Sequence, residues 1–191
     1  MEATQDLLWE QGYSATSPKD IMRRSGAGQG SMYHHFTNKQ ELAVVALECS
    51  AQSMRQDAEK LLATDGSASE IATAYLRRQR DVLKGCRMGR MTFDADVLNT
   101  PELIEPVKRT FVWLLEALTV LFERGRDQGE FAADIDARNL ASLVVATVQG
   151  GYVLARATRD TDAFDAAVEG AAALLRKATV PLTTEVSDHS E

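Results

Sequence analysis

Cysteine, proline and net positive charge are all scarce in this chain. Only Cys49 and Cys86 occur in 191 residues. With no CxxC pair they give no disulfide framework, which fits a reducing cytosol. Of the four prolines, Pro18, Pro101, Pro106 and Pro181, three sit where helices start or stop, and strand-like alternation of any useful length is missing. No apolar run approaches the roughly 18 residues of a membrane span, and no basic stretch followed by an apolar one opens the chain. No membrane partner and a cytoplasmic location are therefore expected. The formal charge of -7 argues against a protein that coats nucleic acid with its whole surface, so any such contact has to come from a local basic patch.

What is present is helical periodicity on a chain that is 45% hydrophobic, enough for a packed core. The expectation is an all-α protein. Ala3 to Glu10 reads as a helix stopped by Gly12, a residue that takes positive φ without steric cost. Ser17, Pro18 and Asp20 form an N-cap, a proline at the first helical position and a capping acid, so a second short helix runs to about Ser25. Gly26 to Gly28 break the chain before a further segment, Gln29 to Phe36. Asn38 with Glu41 three residues on caps the next helix, which carries Leu42, Val45 and Cys49 onward. Two short helices around a glycine-bearing turn make a helix-turn-helix, whose second helix enters the major groove. Between Ser17 and Gln40 the basic residues Lys19, Arg23, Arg24 and Lys39 face one acid, Asp20, a basic patch on an acidic protein.

The run GYSATSPKDIMRRSGAGQGSMYHHFTNKQEL, Gly12 to Leu42, closely resembles the DNA-binding domain of the TetR family of bacterial transcriptional repressors. The markers are its G-Y pair, the turn glycines, the G-S-M-Y-x-H-F stretch and the following K-x-E-L. The looser GCRMGRMTFD, Gly85 to Asp94, is similar to a GCLLGN-type motif of one group of these regulators. Family members normally carry several more residues before the position of Met1, including one that reaches the DNA backbone. The resemblance implies a three-helix DNA-binding domain over residues 1–48, a helical ligand-binding and dimerisation domain over 49–178, and a flexible tail over 179–191.

The adjacent His34 and His35 are poorly suited to metal or to acid/base chemistry. A metal site needs three or four converging ligands, and neighbouring side chains on a helix diverge by about 100°. The resemblance places Tyr33 and His34 against phosphates or base edges and makes His35 a packing residue beside the first helix. Gln29 and Ser31, early in the recognition helix, can reach base edges, and Gly30 lets the backbone come close. Ser17 at a helix N-terminus and Lys39 at the start of the next helix suit phosphates. Arg23 and Arg24 read better as a solvated face, and Met22, Met32 and Phe36 as core.

Beyond Glu48, helices are expected over Glu70 to Lys84, Pro101 to Gln128, Asp136 to Thr158 and Asp162 to Ala178. The last two are rich in small residues and poor in charge along one face. That pattern suits a homodimer through the last two long helices, as the resemblance also implies, so a bulky charged residue at Gly151 is expected to separate the dimer. The resemblance further implies a small-molecule effector, for which Met88, Met91, Phe93, Phe111, Trp113, Gln149 and Tyr152 could line a pocket, although core packing accounts for each singly. The basic run Arg77, Arg78, Arg80, Lys84, Arg87 and Arg90 suits an acidic effector, or else a wet helix face. The combined reading is a dimeric repressor that holds a near-palindromic double-stranded operator and is released by a small molecule, with no cofactor, no metal and no catalytic residue. A DNA-binding protein without ligand control and an all-α enzyme using the C-terminal pocket stay open as alternatives.

Overall fold

A computed structural model describes residues 1–26 and 34–180. Among these the helices are α1 (Glu2–Gln11), α2 (Pro18–Ser25), α3 (Lys39–Leu62), α4 (Ala68–Arg77), α5 (Arg87–Met91), α6 (Ala95–Asn99), α7 (Pro101–Asp127), α8 (Ala137–Thr158) and α9 (Asp162–Ala178). Apart from one isolated bridge between Phe131 and Thr179, no β pairing occurs among the described residues. The fold is all-α, as expected.

The N-terminal elements follow their local signals. Gly12 ends α1 at φ +87°, its N–H donating to Leu8 O at 3.0 Å. Ser17 and Asp20 close a reciprocal capping box over α2, with the Asp20 N–H 3.1 Å from Ser17 Oγ and the Ser17 N–H 3.2 Å from Asp20 Oδ2. Asn38 Oδ1 accepts from the Glu41 N–H at 2.9 Å to start α3. Leu7, Ile21 and Leu42 form a small core, with Met22 and Phe36 packed against it.

α3 continues for 24 residues through the expected boundary at residue 48, so one unbroken helix joins the two modules. Its middle shares a second core with Leu8, Met88, Met91, Val97, Leu103 and Val107. Leu61 and Leu62, at its far end, lie against the large C-terminal core built from α4, α7, α8 and α9.

The helix expected over Glu70 to Lys84 stops early, at Arg77, where Arg78 turns extended at ψ 144°. Arg80 then folds back under the helix end. Its Nη1 donates to Leu76 O at 2.7 Å and Arg78 O at 2.8 Å, and its Nη2 to Tyr75 O at 2.5 Å. These are carbonyls that a helix terminus leaves without intrahelical donors. The basic run is therefore not the face of one helix.

α8 is long and apolar enough to cross a membrane by length and composition, contrary to the sequence expectation. Its inner side packs on α7 and α9. Its outer side carries Leu143, Val153 and Leu154, all exposed, and Leu174 of α9 is exposed as well. Gly151 does not belong to that outer face: a Cβ there would lie 2.7 Å from Phe164 Cδ2, whereas one at Gly150 would meet nothing within 4 Å. A bulky residue at Gly151 thus strikes the α8–α9 packing inside one chain, and Gly150 is the glycine that faces out.

Candidate nucleic-acid interface and effector cavity

Gln29, Gly30, Ser31 and Tyr33, expected at the DNA, and Met32, expected in the core, lie outside the described residues. Ser17 caps α2 with its hydroxyl and is half-buried. Lys19, in the first turn of that helix, is exposed and has no carboxylate partner among the described residues, a position the sequence reading counted only as part of the patch. Arg23 and Arg24 are exposed and ion-paired, Arg23 with Asp20 at 2.7 Å and Arg24 with Glu10 at 2.7 Å. His34 is exposed. His35 is exposed too, edge to face with His34 at 4.8 Å between ring centroids, and not packed toward α1 as expected.

Lys39 is more engaged than its sequence position suggests. Its Nζ sits 4.0 Å from the centroid of the Tyr13 ring. Burial pushes its ammonium below the ordinary lysine value, with Asp94 and Asp96 partly opposing that. The same two carboxylates hold Ser14: its N–H donates to Asp94 Oδ2 at 2.8 Å, and its hydroxyl is 2.5 Å from Asp94 Oδ1 and 2.9 Å from Asp96 Oδ2. Burial alone would raise the Asp94 carboxyl, but the bonds from Ser14 and from the Val97 and Asp96 N–H groups outweigh it and leave its pKa below the usual value.

The segment from Lys84 to Asp96 is also tied to α1 itself. Trp9 Nε1 donates to Gly85 O at 3.0 Å. Arg87 pairs with Asp6 at 3.0 Å and lies over the Trp9 ring at 4.2 Å, while Lys84 covers the same ring at 4.7 Å. The other side of this segment borders a cavity of about 150 Å³. Its wall includes Met54 of α3, Tyr75 of α4, Arg78 and Arg80 just after it, Gly85 to Arg87, Phe111 and Leu114 of α7, and Val148, Gln149 and Tyr152 of α8.

Of the seven residues expected to line a pocket, Phe111, Gln149 and Tyr152 do so. Met88 and Met91 are instead fully buried in the core shared with α1 and α3. Phe93 is 71% exposed, on the outer side of the Lys84–Asp96 segment. Trp113 lines a separate surface groove between α3 and α7 with Cys49, its ring under the Arg55 guanidinium at 4.8 Å. Tyr75 and Cys86 line the cavity and escaped the sequence reading as pocket residues, while Arg80, also on the wall, entered it only as part of the basic run suited to an acidic effector. A signal for this wall lay in GCRMGR: a Cβ at Gly89 would collide with Gln149 Oε1, so the glycine leaves room for the Gln149 side chain beside α5. Burial pushes the Tyr152 phenol up to about 12, which keeps it a protonated donor near neutral pH.

Comparison with known proteins agrees with this arrangement. Residues 1–46 match the family model for bacterial regulatory proteins of the TetR family, and residues 67–171 match the tetracyclin repressor-like C-terminal domain. The HTH-type transcriptional regulator YxaF of Bacillus subtilis is 24% identical over 178 residues, 90% of each chain. The crystal structure of a TetR transcriptional regulator from Chloroflexus aurantiacus superposes with a TM-score of 0.83 at 27% identity, covering 93% of both chains. CifR, a TetR-family regulator solved with 26-bp double-strand operator DNA, shares the fold at TM-score 0.74 and 22% identity, over 90% of this chain and 93% of that one. The family and these relatives are transcriptional regulators, not enzymes. With a helix-turn-helix module and a helical C-terminal module each matched, the chain belongs to the TetR family of bacterial transcriptional regulators.

Proposed function

We propose that this regulator is a cytoplasmic repressor that grips a near-palindromic operator as a homodimer and lets go when a small molecule fills the cavity between α4, α5, α7 and α8. The observation that carries this reading is the position of Gly85 and Arg87. Both line the cavity, and both bond to α1, through Trp9 and Asp6. A ligand that shifts their backbone moves the seat of the DNA-binding module directly. α3 supplies a second lever, with Met54 on the cavity wall and Lys39 in its first turn. A packed element with two discrete arrangements is what such a rigid-body switch requires.

Dimerisation is supported by the exposed apolar residues Leu143, Val153 and Leu154 of α8 and Leu174 of α9. Two reading heads one helical turn of DNA apart, about 34–36 Å, need a partner to hold that spacing. On the DNA side the reading assigns phosphate contacts to Ser17, Lys19, Lys39, Tyr33 and His34 and base contacts to Gln29 and Ser31, with Gly30 giving access. Fluorescence anisotropy with the fragment upstream of the gene against random DNA of equal length tests it. The expected result is at least a hundredfold preference for the upstream fragment that a cavity ligand abolishes; equal affinity for both would overturn it.

A further inference from the structure

The cavity holds a cation without a counter-ion. Charged groups on its wall are Arg78, Arg80, Arg87 and Asp81. Arg87 is neutralised by Asp6, and Asp81 accepts from the Lys84 N–H at 3.3 Å. Arg78 and Arg80 have no carboxylate partner among the described residues. Arg80 is the inner of the two, lying against the Tyr75 and Phe164 rings at 5.3 and 5.9 Å. Three of its five N–H donors serve carbonyls of the α4 terminus, and its Nε–H, on the edge shared with Nη2, is buried without an acceptor. An uncompensated guanidinium carries a desolvation cost that an anion in the cavity would relieve.

The rest of the wall limits the anion's shape. Phe111, Leu114, Val148 and Met54 supply an apolar lining, and Tyr152 and Gln149 supply neutral polar groups. A volume of about 150 Å³ is that of a cavity known to accept benzene. The planar guanidinium, with its fixed set of N–H donors, is the cation that suits a carboxylate.

We infer that the effector is a small aromatic carboxylate, one ring with one acid group, whose carboxylate sits on Arg80 and whose ring packs on Phe111, Leu114 and Val148. This rests on the effector reading of the cavity and adds the chemistry of the ligand. Benzoate, salicylate and phenylacetate are the probes, against benzamide and benzyl alcohol as neutral counterparts of similar shape. Isothermal titration of the full chain is expected to show at least one acid binding tenfold or more tightly than its neutral counterpart. Arg80→Lys, which keeps the charge and removes the planar guanidinium, should weaken that acid at least tenfold and leave neutral compounds unchanged. The ligand-side comparison needs no variant, so it stands even if Arg80→Lys folds poorly for want of its carbonyl contacts. Neutral compounds binding as well as the acids, or no acid binding at all, would overturn the inference. Repeating the titration with operator DNA separates the two claims: an acid that binds Arg80 without weakening DNA binding leaves the anion site standing and sinks the effector role.

Discussion

Gly150 and Gly151 are neighbours on α8, yet alanine at the two positions should act in opposite directions. Replacing a helical glycine by alanine gains about 1 kcal/mol of intrinsic propensity at either site. At Gly150 nothing within the chain opposes the gain, since the new methyl meets no atom of its own chain within 4 Å, so the gain is expected in full where α8 has no partner against it. At Gly151 the methyl would stand 2.7, 3.3 and 3.4 Å from Phe164 Cδ2, Cε2 and Cγ, where ordinary carbon contacts are about 3.5–4.0 Å. The ring has little room to recede, being 4% exposed and backed by Tyr152 at 5.1 Å between centroids. Overpacking of this kind costs roughly 1–3 kcal/mol, and the rigid ring argues for the upper half, so the net loss is about 1–2 kcal/mol. For a chain of this size 1 kcal/mol moves Tm by about 2–4 °C. Gly150→Ala should therefore melt about 2–4 °C above the parent and Gly151→Ala about 2–8 °C below it. Thermal unfolding followed by circular dichroism at several protein concentrations checks this. The Gly151 loss should persist at every concentration because the clash is inside one chain. A Gly151→Ala protein as stable as Gly150→Ala would show that Phe164 yields and that the packing argument is wrong.

Leu154→Glu, which places a charge on the exposed apolar side of α8, should yield monomers in light scattering with helix content unchanged, and operator affinity should fall at least tenfold; a dimer that persists would move the interface elsewhere. Asp94 has a lowered pKa, so the stability it lends to the contact with Ser14, in the turn after α1, is complete above its unfolded value near 4 and is lost as pH falls through the lower folded value. Asp94→Asn should remove this acid-dependent part of the thermal stability below about pH 4, and an unchanged acid limb would mean that Ser14–Asp94 does not hold the modules together. Lys19→Ala should weaken operator and random DNA alike and reduce the salt slope by about one unit, whereas Gln29→Ala should lower the preference for operator; the opposite pattern would exchange their roles.

The N-terminal third was legible because its information is local. Gly12, the Ser17–Pro18–Asp20 box and the Asn38–Glu41 cap each act over three or four residues, and each ends or starts a helix where its chemistry demands. The family resemblance over Gly12 to Leu42 has the same local character. Tertiary structure decided the cavity. Arg77, Arg78 and Arg80 look like one wet helix face until Arg78 turns extended, and only then can Arg80 reach back to cap α4 and enter the wall. Met88 and Met91 carry the same apolar chemistry as Phe111, so nothing in their side chains separates core from pocket; their placement against Leu8 and Leu47 does. In the sequence Lys39 reads as an unengaged side chain because Tyr13, Asp94 and Asp96 reach it only through the docking of distant segments. Caps and turns are set by neighbours in sequence. Which face of a helix is core, cavity or surface is set by what packs on it, and that information belongs to the whole fold.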